Sequence, residues 1–276
     1  MKYTIESDSA SVTIDGLGCT LSSLLDKKTG SELLWQKDPA AWNCQDILIF
    51  PVIDRPTFGI NGKSYRCDTK HGFVRTREFT PILTESNRLI LETSSDEETK
   101  RQFPFDFNLR AEFSVDGNTL SATYTITNKS DREMPFYFGI HPALKAENGE
   151  GILSFGQDCR PTVHYLKDKE VFKEERGETI KEIAVNKAVL NKYQTIILSD
   201  FPSSYTLTTK SANYHFFCES PVLAIWSNPV GDYICVEPWW GMAVGKTMPF
   251  ELADRQFVNK TRTASEFSYR LTINKK

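Results

Sequence analysis

This chain of 276 residues lacks an apolar run long enough to cross a bilayer. Its opening, Met1-Lys2-Tyr3-Thr4-Ile5-Glu6-Ser7-Asp8, lacks the apolar core of a secretion signal. The expected compartment is therefore the cytoplasm, with no membrane partner. The chain also lacks a basic excess: its formal net charge is -3, so no positive field exists to hold nucleic acid. Its six cysteines, Cys19, Cys44, Cys67, Cys159, Cys218 and Cys235, include no CxxC pair, which argues against a zinc ribbon or a thioredoxin-like motif. Most are expected to be reduced and buried. With no secretion signal, the triplets Asn128-Lys129-Ser130 and Asn259-Lys260-Thr261 read as chance matches to a glycosylation motif. No Pro/Gly/Ser linker, low-complexity tract or fixed-period repeat interrupts the chain, so residues 1–276 read as one domain of a length common for β-rich folds.

Helical signals are also scarce. Ser22–Lys28 is too short to count as one, and the charged stretch Lys167–Glu182 shows no sustained apolar stripe and reads as a solvated loop. Period-two alternation is plentiful instead. Phe107, Leu109, Ala111, Phe113 and Val115 share one face, Asp116-Gly117 turns the chain, and Leu120, Ala122, Tyr124 and Ile126 return on the same face. Phe267, Tyr269, Leu271 and Ile273 repeat the pattern near the C-terminus, and Asn61-Gly62 marks another tight hairpin. The expectation is an all-β fold of antiparallel sheets packed face to face.

Chemistry-bearing residues stand out against this background. Glu237 lies in Ile234-Cys235-Val236-Glu237-Pro238-Trp239-Trp240-Gly241, a carboxylate among large aromatics. Aromatic rings stack on the C–H faces of a pyranose, so the segment reads as a proton acceptor on a sugar platform. Two of the four histidines have settings that could make them its acid partner: His71 before Gly72, and His141 between Gly139-Ile140 and Pro142. A structural role for each is an equally open reading. His164 and His215 sit in strand-like text without a motif and read as structural or surface residues. Trp226 reads as core in preference to platform. Gly245-Lys246-Thr247 lacks the glycine spacing of a phosphate-binding loop and reads as coincidence.

Five segments in order resemble the aldose 1-epimerase (galactose mutarotase-like) family, in its bacterial branch of short members related to the LacX proteins. They are Ile47–Arg55, Asn61-Gly62-Lys63, His71-Gly72-Phe73-Val74-Arg75, Phe138–Pro142 and Glu237–Gly241. The resemblance implies a β-supersandwich whose concave sheet face holds the sugar, and an isomerase interconverting α and β anomers of a hexose without a cofactor or metal. It also implies roles: Glu237 as catalytic base, His141 as catalytic acid, His71 as second active-site histidine, and Arg55, Arg75, Gln194 and Trp239 as substrate-binding residues. In the implied chemistry the base takes the proton of the anomeric hydroxyl while the acid protonates the ring oxygen, the two groups standing on opposite sides of the ring. Each charge would favour the other, leaving His141 protonated and Glu237 ionised.

Some positions depart from the family pattern. Asp54 stands where glycine is common and could pair with Arg55; Gln194 falls where an aspartate is expected; Trp240 and Ala243-Val244-Gly245-Lys246 would change one wall of the pocket. Three alternatives stay open: a hexose-6-phosphate mutarotase with Arg55, Arg75 and Arg77 clamping the phosphate, a catalytically weak sugar-binding or sensing protein, and a structural β-sandwich module. The assembly, including a homodimer, is likewise open.

Overall fold

The computed structural model describes residues 1–167, 170–242 and 250–276. Two large antiparallel sheets dominate. One has nine strands, running in space from Ile180–Val185 through Gly151–Cys159, Ser204–Thr208, Ala212–Cys218, Ala264–Lys275, Thr119–Asn128, Phe107–Asp116 and Arg88–Ser94 to Thr80–Thr84. The hairpin read from alternation lies inside it, flanked on both sides by other strands. Phe107 pairs with Asn128 and Asp116 with Thr119, and Gly117 takes the left-handed conformation (φ 53°) that the tight turn needs. Alternate residues of both strands are buried, as the period-two pattern requires.

The second sheet has eight strands. Tyr233–Trp240 runs through its middle, with Val222–Trp226 on one side and Phe138–Ile140 and Ala143–Lys145 on the other. The two sheets pack through aromatic rings. Phe138 stacks on Phe267 with ring centroids 4.7 Å apart and lies 5.1 Å from Tyr124, while Trp240 reaches Phe267 at 5.1 Å. Burying such rings is the largest apolar contribution available to a sheet interface.

This packing decides which way the key strand faces. Because successive side chains point to opposite faces, Trp240 goes into the interface, whereas Tyr233, Cys235, Glu237 and Trp239 point to the other face. Trp240 is therefore not a wall of the sugar site, contrary to the sequence reading. The pocket-wall expectation for residues 243–246 and the phosphate-loop comparison at 245–247 lie outside the described residues.

The stretch expected as a loop from Lys167 to Glu182 holds strands instead. Glu170–Arg176 and Ile180–Val185 each lie at the edge of a large sheet. Edge strands bury little, so their sequences carry charge and lose the alternation that marks central ones. Thr20–Asp26 is likewise a strand. Two short α-helices occur among the described residues, Glu97–Gln102 and Lys187–Tyr193, with Asp96 and Asn186 as N-caps. The Asn61-Gly62 turn forms as read, joining Thr57–Ile60 to Lys63–Arg66 with φ of 51° and 74°. The side-chain amides of Asn128 and Asn259 donate to carbonyls of neighbouring segments, so both glycosylation-type triplets are tied into the fold.

Candidate active site

Glu237 is 1% exposed and is held at both oxygens. Its Oε1 lies 3.2 Å from His141 Nε2, and its Oε2 accepts from Trp239 Nε1 at 3.2 Å. Trp239, two residues on, shares the face of Glu237, so strand alternation itself supplies the second contact. That indole needs Gly139 on the neighbouring strand: a Cβ there would lie 2.8 Å from Trp239 Cδ1.

His141 enters from a break in the ladder. Gly139 pairs with Trp239 and Ala143 with Cys235, while the chain between them, His141-Pro142, leaves the sheet. Val236 donates to Pro142 O at 3.4 Å, so the strand position two residues on, Pro238, has its missing N–H facing the same gap. Two prolines thus border a gap where no ladder hydrogen bond is required, and this frees the His141 ring to turn toward Glu237. Behind it, Asp46 accepts from the backbone N–H of His141 (3.2 Å), Leu21 (3.0 Å) and Ile47 (2.8 Å). Burial nevertheless pushes the Asp46 carboxyl up to about 6 against these three donors.

His71 arrives on a separate loop built from unusual backbone. His71 (φ 66°), Gly72 (φ 81°) and Asp54 (φ 64°) are all left-handed. A Cβ on Gly72 would lie 1.8 Å from Phe50 O, so glycine is obligatory there. The loop is tied by His71 N–H donating to Asp54 O at 2.6 Å and by Asp54 N–H donating to His71 Nδ1 at 3.2 Å. A ring nitrogen that accepts carries no proton, so this contact places the imidazole proton of His71 on Nε2. The His71 and His141 rings are 5.6 Å apart, close to edge-on.

These groups line one cleft of about 230 Å³, together with Trp42, Trp226, Trp239, Asp54, Lys70, Arg75 and Gln194. Trp42 lies 5.1 Å from the His141 ring and 5.5 Å from Trp226, giving the cleft an aromatic wall. Trp226 therefore belongs to the cleft as well as packing on Tyr233, where the sequence favoured core over platform. Of the expected substrate-binding residues, Arg75, Gln194 and Trp239 reach the cleft and Arg55 does not. Asp54 makes no ion pair with Arg55, and its Oδ2 is buried with no partner among the described residues. An unpartnered acceptor in a polar cleft is what a sugar hydroxyl would satisfy. The triple-arginine phosphate clamp is not assembled, because Arg77 pairs with Asp96 and, at 3.4 Å, with Glu98.

Sequence reasoning missed Trp42, Asp46 and Lys70. Asp46 directly precedes the Ile47–Arg55 segment and Lys70 directly precedes His71, so proximity to those motifs was the available signal. Trp42 lies in irregular chain and carried none. His164 is buried, with Nε2 2.9 Å from Ser199 Oγ and Nδ1 3.3 Å from Glu174 Oε1. That chain resembles a nucleophile–base–carboxylate relay, yet neither His164 nor Ser199 lines the cleft, and the structural reading stands.

Two electrostatic features differ from expectation. The acid and base candidates touch, so they stand side by side and not across a ring. Burial also dominates their mutual field, pushing the Glu237 carboxyl well up and the His141 imidazole down, while the nearby Lys70 charge further lowers His141 and partly offsets the rise at Glu237. The pair resists net charge and holds one proton between two sites. Cys235 adds a third donor atom to this group, all within 4.8 Å of one another, which is the one such grouping among the described residues. Burial raises the Cys235 thiol well above its ordinary range, which disfavours the thiolate a metal would need.

Comparison with known proteins identifies the family of the chain. The sequence profile of the aldose 1-epimerase family matches residues 1–238. The chain is 27% identical to the chromosomal LacX protein of Lactococcus lactis subsp. lactis, with 99% of each chain covered. Among solved structures, a galactose mutarotase related enzyme from Lactobacillus acidophilus superposes with a TM-score of 0.91 at 24% identity, covering 99% of this chain and 97% of that one. A galactose mutarotase-like protein from Lactobacillus casei does so at 0.92 and 22% identity, covering 99% and 100%. The chain belongs to the aldose 1-epimerase family, and with it has a mutarotase-like isomerase function.

Proposed function

We propose that this protein interconverts the α and β anomers of a hexose, with Glu237 as general base and His141 as general acid. The observation that carries the reading is the 3.2 Å contact between His141 Nε2 and Glu237 Oε1 inside a tryptophan-walled cleft. The anomeric hydroxyl and the ring oxygen are bonded to the same carbon, so a base and an acid standing side by side match two oxygens standing side by side. Glu237 takes the hydroxyl proton as the C1–ring-oxygen bond breaks, and His141 gives its proton to the ring oxygen. Rotation about C1–C2 turns the other carbonyl face, and the reverse transfers close the ring.

Across ring opening the pair's proton moves in effect from imidazole to carboxyl, and its total count does not change. The transfers start from the ionised pair, which burial disfavours at rest, and end at the uncharged one, so the same desolvation that opposes the reactive ion pair assists the step. His71 offers Nε2–H to the oxygen where charge develops, Asp54 Oδ2 accepts from a hydroxyl, and Trp239, Trp42 and Trp226 pack on the ring. The six free cysteines fit a reducing compartment, which supports the cytoplasm as its location.

Anomer exchange measured by NMR tests this on glucose, galactose and their 6-phosphates. The wild-type protein is expected to accelerate exchange of at least one of them. Glu237→Gln keeps an acceptor for Trp239 yet removes the base, and is expected to lose about 10²–10⁴ of the rate; His141→Asn is expected to fall in the same range. Exchange at the uncatalysed rate with the wild-type protein sinks the reading.

A further inference from the structure

Two residues of the catalytic cleft, Trp226 and Gln194, also border a neighbouring hollow. This second hollow is bounded by Lys187, Leu190 and Asn191 of the helix Lys187–Tyr193 and by the segment Ser227–Pro229. Its volume, about 230 Å³, equals that of the cleft, and Gln194 and Trp226 line both. If the first hollow accommodates one sugar ring, the second, adjacent to it along Gln194 and Trp226, has the room for another.

Resting on the mutarotase reading above, we propose that this second hollow is a sugar subsite. The preferred substrate is then a reducing disaccharide, with its reducing-end ring in the catalytic cleft and its second ring between the helix and Ser227–Pro229.

The walls are built for such a ligand. Trp226 is pinned between Trp42 (5.5 Å), His141 (5.9 Å) and Tyr233 (5.9 Å), a rigid aromatic surface at the seam. The opposite wall is fixed by Asn228, whose amide is held at both ends: Nδ2 donates to Ala41 O at 2.9 Å and Oδ1 accepts from Val230 N–H at 3.0 Å. The helix is anchored by buried Leu190 and by the Asn186 cap, whose Oδ1 accepts from Val189 N–H at 3.0 Å. Asn191 and Lys187 remain exposed on that wall and supply donors and an acceptor of the kind that sugar hydroxyls pair with.

The backbone at the seam points the same way. Gln194 has φ 60° and ψ -55°, its N–H donates to Leu190 O at 2.7 Å, and Thr195 N–H reaches back to Tyr193 O at 2.7 Å. This is a γ-turn in a conformation that residues with a side chain rarely adopt. Strained backbone of this kind concentrates at ligand clamps, and here it sets the Gln194 side chain between the two hollows.

The test is NMR anomer exchange of maltose, cellobiose and lactose beside glucose and galactose, with saturation-transfer NMR to read which ring touches the protein. At least one disaccharide is expected to show kcat/KM tenfold or more above its reducing-end monosaccharide, with saturation reaching both rings. Asn191→Trp, which fills the hollow from the helix side, is expected to lower the disaccharide-to-hexose ratio at least tenfold. Equal kcat/KM for both sugar classes, unaltered by Asn191→Trp, overturns the subsite while leaving the mutarotase reading intact. Saturation confined to the reducing ring, or absent, overturns it even if no exchange is catalysed, an outcome that would sink the mutarotase reading separately.

Discussion

The pairing of His141 with Glu237 gives a pH signature that neither residue has alone. In the folded chain the pair holds one proton, because burial pushes the carboxyl up and the imidazole down. In the unfolded chain the two titrate near their ordinary values, 6.5 for histidine and 4.5 for glutamate. Between those values both states hold one proton, and stability does not depend on pH through this pair. As pH rises above 6.5 the unfolded chain releases a proton that the folded pair keeps, so stability falls by the histidine's loss in the reference state. Below 4.5 the unfolded chain takes up a second proton that the buried pair refuses, and stability falls again. Urea unfolding of wild type against the Glu237→Gln/His141→Asn double variant, across pH, is expected to show a difference that is flat between the two values and declines on both sides. A difference that instead rises between the two values and levels off above the histidine value would mean that the folded pair holds no proton.

At the scale of elements, the His71 loop depends on one glycine more than on any of its polar contacts. Gly72 combines a left-handed φ of 81° with a hypothetical Cβ only 1.8 Å from Phe50 O, whereas Gly117, at φ 53°, has open space around it. Gly72→Ala is expected to cost about 2–5 kcal/mol, the left-handed penalty plus displacement of packed backbone. Gly117→Ala carries only the first of these, about 1–2 kcal/mol. Urea midpoints check the difference, and equal losses would show that the close approach at Phe50 relaxes freely. The same comparison explains what could be read from sequence. The hairpin around Gly117 announces itself through alternation in Phe107–Val115 and Leu120–Ile126, because one face of each strand is buried and the other wet. The edge strands Glu170–Arg176 and Ile180–Val185 lack that contrast and read as loop. Glu237, His71 and His141 were legible from their glycine, proline and tryptophan neighbours. Asp46 was not, because two of the three backbone N–H groups it receives, those of Leu21 and His141, are brought to it only by the folded chain.

At the scale of the whole molecule, the eight-stranded sheet separates stability from chemistry by using its two faces differently. Ile234, Val236 and Trp240 turn toward the nine-stranded sheet, while Cys235, Glu237 and Trp239 turn toward the cleft. The nine-stranded sheet meets the site indirectly, through the sheet between them and through Phe50 and Phe73, whose rings lie 5.0 Å and 6.0 Å from that of Phe107. Phe113 lies on that distant sheet, 1% exposed and 5.8 Å from the Tyr124 ring, which in turn rests on Phe138. Truncating it opens a cavity in the interface and is expected to cost about 3–5 kcal/mol. The catalytic contacts run through Trp239, His141 and the Asp54–His71 loop, none of which touches Phe113, so the folded fraction keeps its geometry. Phe113→Ala should therefore lower the thermal midpoint markedly while kcat/KM for anomer exchange, measured well below that midpoint, stays within about twofold of wild type. A loss of kcat/KM comparable to that of Glu237→Gln at temperatures where circular dichroism shows a fully folded chain would contradict the division. It would mean that the inter-sheet packing sets the His141–Glu237 distance through the strand both faces share.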